Sequence, residues 1–284
     1  YIGANIIFVD SEKITWNMCP ISLEKAIKDN LDKPIKAIIP VHLYGMPYQV
    51  DEIKKISIKY SIPVIEDSAE ALGSSYKSIK CGAFGDISVL SFNGNKIITT
   101  SGGGALVSKN TEYVNKAKFL STQARDSAPH YQHSEIGYNY RMSNVLAGIG
   151  IGQMEVLDKR VHQRRRNNHR YSKFFEDIPG ITFQTEPSND FFSNYWLTAI
   201  IIEPELTGGI NREDVRIAFE NENIESRPLW KPMHLQPVYK GTQSYGEGVC
   251  EKLFKNGLCL PSGSNLTNHE FERIFKVLKK IFKK

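Results

Sequence analysis

Two segments hold residues whose types and spacing could do covalent chemistry. The first, VIEDSAEALG at 64–73, is an apolar run that stops at Asp67 and passes into small residues. An acidic group at the carboxyl end of a parallel strand faces the ligand crevice of an α/β sheet, although Asp67 could equally be a helix cap. Twenty-nine positions later, SFNGNKIITTSGGGALVS reads as a strand ending in Ser91, a polar loop, Lys96 and three glycines. A lone lysine is ordinarily a solvated surface charge. This one is bordered by Ile97 and Ile98, an apolar setting of the kind that favours a neutral, nucleophilic amine. Ser91 taken alone is a turn hydroxyl, and Gly102, Gly103 and Gly104 taken alone are a tight turn.

Other polar residues are weaker signals. His42, His234 and Arg227 are candidates for substrate contact, Arg227 because its planar fork donates two parallel hydrogen bonds to a carboxylate or diphosphate. Core or surface roles serve each as well, and their spacing suggests no metal site. The four cysteines, Cys19, Cys81, Cys250 and Cys259, form no CxxC pair, so neither a disulfide framework nor a zinc site is indicated and a reducing cytoplasm is the natural setting.

The elements that must position these groups follow from periodicity. At 284 residues and 40% hydrophobic, the chain can bury a large core in two domains. From residue 6 to about 108, β-branched runs alternate with amphipathic stretches, the pattern of parallel βα units. Strands are expected at Ile6 to Asp10, Ala37 to Val41, Pro63 to Glu66, Ile87 to Phe92 and Gly104 to Val107. Helices are expected at Ser22 to Asn30, capped by Ser22 and buried through Leu23, Ala26 and Ile27, and at Val50 to Tyr60. Long helical patterns follow at Thr111 to Thr122 and Ser143 to Phe175, the second broken or bent. Beyond Pro179 come a strand Tyr195 to Ile202, a helix Arg212 to Glu222 opened by Asn211, an irregular Pro-rich segment and a closing helix. The expected organisation is a large, mainly parallel α/β domain over 1–155 and a smaller α+β domain over 156–284.

The net charge of +5 is too mild to imply a nucleic-acid partner. The run HQRRRNNHR at 162–170 holds four arginines and two histidines, but it lies on a helical pattern without interleaved aromatics. It reads as a solvated helix face with Val161 and Tyr171 turned inward. The tail places Phe271, Ile274, Phe275, Leu278, Ile281 and Phe282 on one stripe opposite lysines. A membrane surface or the small domain could take that stripe, and packing on the domain is the preferred reading. No apolar run approaches the roughly 18 residues a membrane span needs.

Taken in order, VHLYG at 41–45, EDSAEALG at 66–73, SFNGNKIITTSGGGALV at 91–107, GYNYRMSN at 137–144 and RPLWKPMHLQPVY at 227–239 resemble the DegT-type sugar-nucleotide aminotransferases. These form a branch of the fold-type-I pyridoxal-phosphate enzymes. The resemblance makes Lys96 the lysine that carries pyridoxal 5'-phosphate as an internal aldimine. It makes Asp67 the carboxylate facing the pyridine nitrogen and Ser91 the hydroxyl that binds the phosphate. Asn139, otherwise a loop residue, would reach the phosphate from the neighbouring subunit of a homodimer with shared active sites. Glu70 stands where much of the family has Gln or His against the cofactor's phenolic oxygen, and there a carboxylate repels a phenolate unless one of them holds a proton. A subset that makes 4-amino sugars is similar in having Glu there, and in ESRPLWKPMHLQPVY and NGLCLPSG. That subset implies UDP-4-keto-6-deoxy-N-acetylglucosamine as acceptor, with glutamate the expected amino donor. Rival readings are a sugar dehydratase, in which histidine replaces the lysine, and a catalytically silent scaffold. The chain opens on Tyr1, and the family's Ser-Gly-Thr phosphate loop and ring-stacking aromatic have no counterpart here, so a fragment of a longer enzyme is expected.

Overall fold

A computed structural model describes residues 2–284. Its first sheet takes Ile65–Asp67, Ile87–Ser91 and Gly104–Val107 in that order; the first pair is parallel and the second antiparallel. The expected strand at Ala37 to Val41 lies along the free edge of Ile65–Asp67 but is reduced to two parallel bridges, Ile38 to Val64 and Val41 to Asp67. Pro40 lacks an N–H for a continuous ladder, so this edge is pinned only where Ile38 and His42 donate and where Ile38 and Pro40 accept.

The expected strand Ile6 to Asp10 is corrected more severely. Only Phe8–Val9 is a strand, and it pairs in parallel with Ser244–Tyr245, outside the main sheet. Asp10 fixes it there by accepting the backbone N–H groups of Glu247, Val249 and Cys250. Those partners come from more than two hundred residues away, so local periodicity could not announce them.

Helix α1, Pro20–Lys28, buries Leu23, Ala26 and Ile27 as expected. Its start differs: Cys19 is the N-cap, Pro20 occupies the first turn, and Ser22 lies inside the helix. Helix α2, Val50–Tyr60, packs Val50, Ile53 and Ile56 into the same core, with Tyr48, Ile62, Val64 and Tyr76. Helix α3 is Thr111–Ser121, and the long pattern beyond it splits into α4, Asn144–Met154, and α5, Leu157–Phe175.

A second sheet orders Arg227–Pro228, Gly257–Leu260, Thr198–Ile202 and Ile181–Phe183, all antiparallel. Helix α6 is Arg212–Asn221, opened by the expected Asn211, whose side chain accepts from Glu213 and Asp214 in a capping box. Helix α7, Val249–Asn256, and the strand it feeds were not foreseen. Helix α8, Asn268–Phe282, is capped by Thr267 and packs Phe271, Ile274 and Leu278 against Tyr171, Phe219 and Leu258. The tail's apolar stripe is thus core, and no helix among the described residues is long and apolar enough to cross a membrane.

The basic run on α5 is not simply a solvated face. Val161 and Tyr171 are buried, but so is Arg164, which donates to the Trp196 carbonyl at 2.8 Å. Arg165 grips Glu186 and the Ser193 carbonyl.

Candidate active site

The sheet brings the chemical groups to one end. Asp67 and Ser91 close two adjacent parallel strands at their carboxyl ends, and the Lys96 loop turns over them. Two glycines permit that turn. Gly103 takes the left-handed φ of +95°, and a Cβ on Gly104 would lie 2.3 Å from the Leu90 carbonyl. Ile97 and Ile98 are buried beneath the loop, and the indole of Trp196 donates to the Asn95 carbonyl at 2.8 Å. The Lys96 side chain is left only 13% exposed, its Nζ 4.4 Å from the centre of the Trp196 ring.

The group nearest that amine is Glu70, whose Oε1 stands 3.9 Å from Nζ. Its Oε2 accepts the Tyr44 backbone N–H at 2.7 Å, and Oε1 accepts the Trp230 indole N–H at 3.3 Å. Burial pushes the Glu70 carboxyl above its ordinary pKa; the Tyr44 amide, the Lys96 charge and the Trp230 donor pull it down without cancelling the rise. Asp67 adds to the rise, so the two carboxylates lie close enough to repel. Asp67 itself accepts the Ala69 N–H at 3.0 Å, a short turn that aims the carboxylate outward from the strand end.

Local sequence explains why this corner forms. Tyr44 holds a left-handed φ of 57° and is almost fully buried, while Gly45 follows at +96°, where a Cβ would lie 1.8 Å from Asn194 Oδ1. Asn194 ties the corner together, donating to the carbonyls of Glu70 and Leu72 and accepting from Trp196 N–H. The Tyr44 hydroxyl accepts the Trp230 backbone N–H at 2.8 Å, so three remote segments meet on one tyrosine.

The remaining candidates stand elsewhere. His42 is fully buried: Nδ1 accepts the Tyr48 N–H at 3.1 Å and Nε2 is 2.8 Å from Glu66 Oε1. With neither ring nitrogen free, it has no hydrogen bond left for a substrate, contrary to the expected contact. Arg227 is exposed and bonds Glu225 at 2.7 Å, beside a cavity of about 400 Å³ that Trp196 and Trp230 also line. His234 pairs with Glu251 at 2.9 Å. Ser91 Oγ accepts weakly from Asn93 N–H at 3.4 Å, and Asn139 is exposed on a loop bridged to Thr122. Tyr44, Trp196 and Trp230 escaped notice as individual residues. Tyr44 and Trp230 belong to VHLYG and RPLWKP, whereas Trp196 lies outside every segment that carries the resemblance; the partners of their hydroxyl and indole N–H groups come from remote parts of the chain.

An α/β scaffold with a shielded lysine beside carboxylates that follow a strand end defines a class, and comparison makes it specific. The chain belongs to the DegT/DnrJ/EryC1/StrS aminotransferase family, whose model matches residues 1–279. It is a pyridoxal-phosphate-dependent sugar aminotransferase of the fold-type-I class. It is 48% identical over 289 residues to the putative pyridoxal phosphate-dependent aminotransferase EpsN of Bacillus subtilis, covering 99% of this chain and 73% of that one. A GDP-perosamine synthase of Escherichia coli O157:H7 is 36% identical over 271 residues, covering 95% of this chain and 71% of the other. Among solved structures, a family aminotransferase from Brucella abortus superposes with a TM-score of 0.89 at 27% identity, covering 100% of this chain and 75% of that one.

Proposed function

We propose that the chain transfers an amino group from glutamate to UDP-4-keto-6-deoxy-N-acetylglucosamine, with Lys96 as the residue that carries the cofactor. The observation that supports this most directly is a shielded primary amine within 3.9 Å of a carboxylate and close to a second one. This donor set fits pyridoxal phosphate: an amine for its aldehyde, a carboxylate for its ring nitrogen and a hydroxyl at the neighbouring strand end for its phosphate. When bound, pyridoxal phosphate supplies an aldehyde that captures amino groups and a ring that withdraws electrons from the carbon they carry.

Each residue has a defined task. Asp67 would face the ring nitrogen, where a carboxylate favours the protonated ring. Ser91 donates to the phosphate, joined by Asn139 of a second subunit in a homodimer. Glu70, its carboxyl raised by burial, would meet the phenolic oxygen, where repulsion is relieved when one of the two groups holds a proton. Lys96, once freed, would be the base for the proton on the amino acid's Cα and, in the second half-reaction, the acid that protonates the former keto carbon of the sugar. Trp196, packed across Nζ, excludes water from the amine. Arg227, which lines the neighbouring cavity, would meet the diphosphate. In favour of a division at 155/156, the buried residues of one core lie within 23–76 and those of another within 171–278, while a third core, which includes Trp16, Ile98, Trp196 and Cys259, joins the two parts.

The lysine assignment is tested by adding pyridoxal phosphate to wild type and Lys96→Ala, reducing with borohydride and mapping the modified peptide. Wild type should carry the label on Lys96, and the variant should show neither label nor visible absorbance band. The same label on another lysine would end the assignment. Acceptor identity is read from a panel of UDP- and GDP-linked 3-keto and 4-keto sugars with glutamate. The UDP-4-keto compound should give the highest kcat/KM, and a preference for a GDP-sugar or a 3-keto compound would overturn this choice.

A further inference from the structure

Glu70 and Lys96 do not touch as an ion pair ordinarily would. The 3.9 Å between Oε1 and Nζ lies outside hydrogen-bond range, although both side chains are shielded and the attraction between them is strong. The carboxylate is held back by donors on its other sides. Tyr44 N–H takes Oε2 at 2.7 Å, and the Trp230 indole takes Oε1, the same oxygen that would otherwise close on the amine. Trp230 is itself anchored, since its backbone N–H donates to the Tyr44 hydroxyl at 2.8 Å and its ring lies 5.5 Å from the Tyr44 ring. Tyr44 sits at a left-handed φ of 57°, a conformation that costs a bulky residue free energy and persists only where its surroundings impose it. The strain falls on the residue that carries both ends of the clamp.

We propose that Trp230 is a positioning residue which, with Tyr44, restrains Glu70 so that its carboxylate stops short of Lys96 and leaves the amine free to react. The proposal rests on the reading of Lys96 as the reactive lysine. A lysine in a direct ion pair is held as ammonium and has no lone pair for an aldehyde. A lysine with its carboxylate about an ångström further off keeps electrostatic support yet loses its proton at lower pH. The charged and titratable groups around Nζ are Glu70, Asp67 beyond it, and the Tyr44 hydroxyl and Cys259 thiol behind Glu70. Among the described residues Glu70 is the only carboxylate within 4.0 Å of the amine. Trp230 is 39% exposed, so replacing its ring does not empty a sealed core.

The test removes the indole donor and keeps apolar bulk, with Trp230→Phe, and with Trp230→Leu should the first not fold. In the full chain before cofactor is added, Lys96 is labelled with an amine-reactive reagent over a pH series and quantified by peptide mass spectrometry. Losing the donor should let Glu70 close on the amine and raise the labelling midpoint by about one pH unit, roughly tenfold slower labelling at fixed pH below it. Capture of pyridoxal phosphate, followed by stopped-flow absorbance, should slow in proportion. Adding Glu70→Gln to the Trp230 variant should bring the midpoint back down, because no carboxylate remains to close. An unchanged or lowered midpoint in the single variants, or a raised one that survives Glu70→Gln, would overturn the proposal. Borohydride mapping of the cofactor to a different lysine would instead remove the reading beneath it, and the two failures cannot be confused.

Discussion

Glu66 and Glu70 are four positions apart and behave as opposites. Glu66 is fully buried, yet its carboxyl falls to about 2: burial alone would raise it, but His42 and a ring of other donors outweigh that. Those donors include the N–H groups of Gly82, Phe84 and Gly85 and the hydroxyls of Ser68 and Ser88. A group with a depressed folded pKa stabilises the protein above its unfolded value of about 4.5, and this contribution fades as pH falls toward about 2. Glu66→Gln, which cannot accept from all of these donors, should cost about 3 kcal/mol at pH 7. In urea the expected change is a lower midpoint at unchanged m, with the gap to wild type narrowing on acidification below pH 4.5. A gap that stays constant down to pH 2 would show that the charge is not what Glu66 contributes. The sequence separated these two glutamates only in part. The positions of Asp67 at a strand end and of Lys96 in a shielded loop were legible, because an apolar run and an apolar border mark them. His42 reads as a substrate contact in the sequence because the groups that claim it, the Tyr48 N–H and the Glu66 carboxylate, lie outside its own segment.

At the scale of elements, legibility followed the range of the forces. Helix α2, the break between α4 and α5, and the Asn211 cap were readable because the 3.6 period and the capping box are local. The strand at Phe8–Val9 and the start of α1 were misread because their partners are remote or are backbone constraints. The caps give a paired prediction. Asn211→Ala removes the acceptor for two N–H groups of α6 and should lower stability by about 1 kcal/mol. Ser22→Ala should change it by less than about 0.5 kcal/mol, since Pro20 and Cys19 already open α1 and Ser22 caps nothing. Thermal unfolding of both variants beside wild type checks the pair, and equal losses would mean that the caps have been wrongly assigned. Helix α7 and Gly257–Leu260 went unread for a different reason. An eight-residue helix running directly into a fully buried strand offers neither a clear period nor a turn between them.

For the whole molecule, the open question is what covers the surface around Asn139. Ile136 is 85% exposed, Tyr131 71%, Tyr140 69%, and Val145 and Ile151 on α4 are 68% each. None of the residues of α4 is buried, although the helix is strongly apolar. Exposed apolar side chains in such number suit an interface, and the proposed homodimer would cover them while carrying Asn139 across to the neighbour's cofactor site. Shared sites make a prediction that no single-chain site can imitate. Lys96→Ala and Asn139→Ala, each impaired alone, are co-expressed with different tags. In a mixed dimer one site combines both defects, and the other receives Lys96 from one subunit and Asn139 from its partner, so it is intact. Random pairing yields half mixed dimers, each with one good site of two, so activity should recover to about a quarter of wild type. Purification through both tags should raise it to about half. If each site were built from one chain, mixing would yield only the average of the two impaired enzymes, and double-tag purification would change nothing.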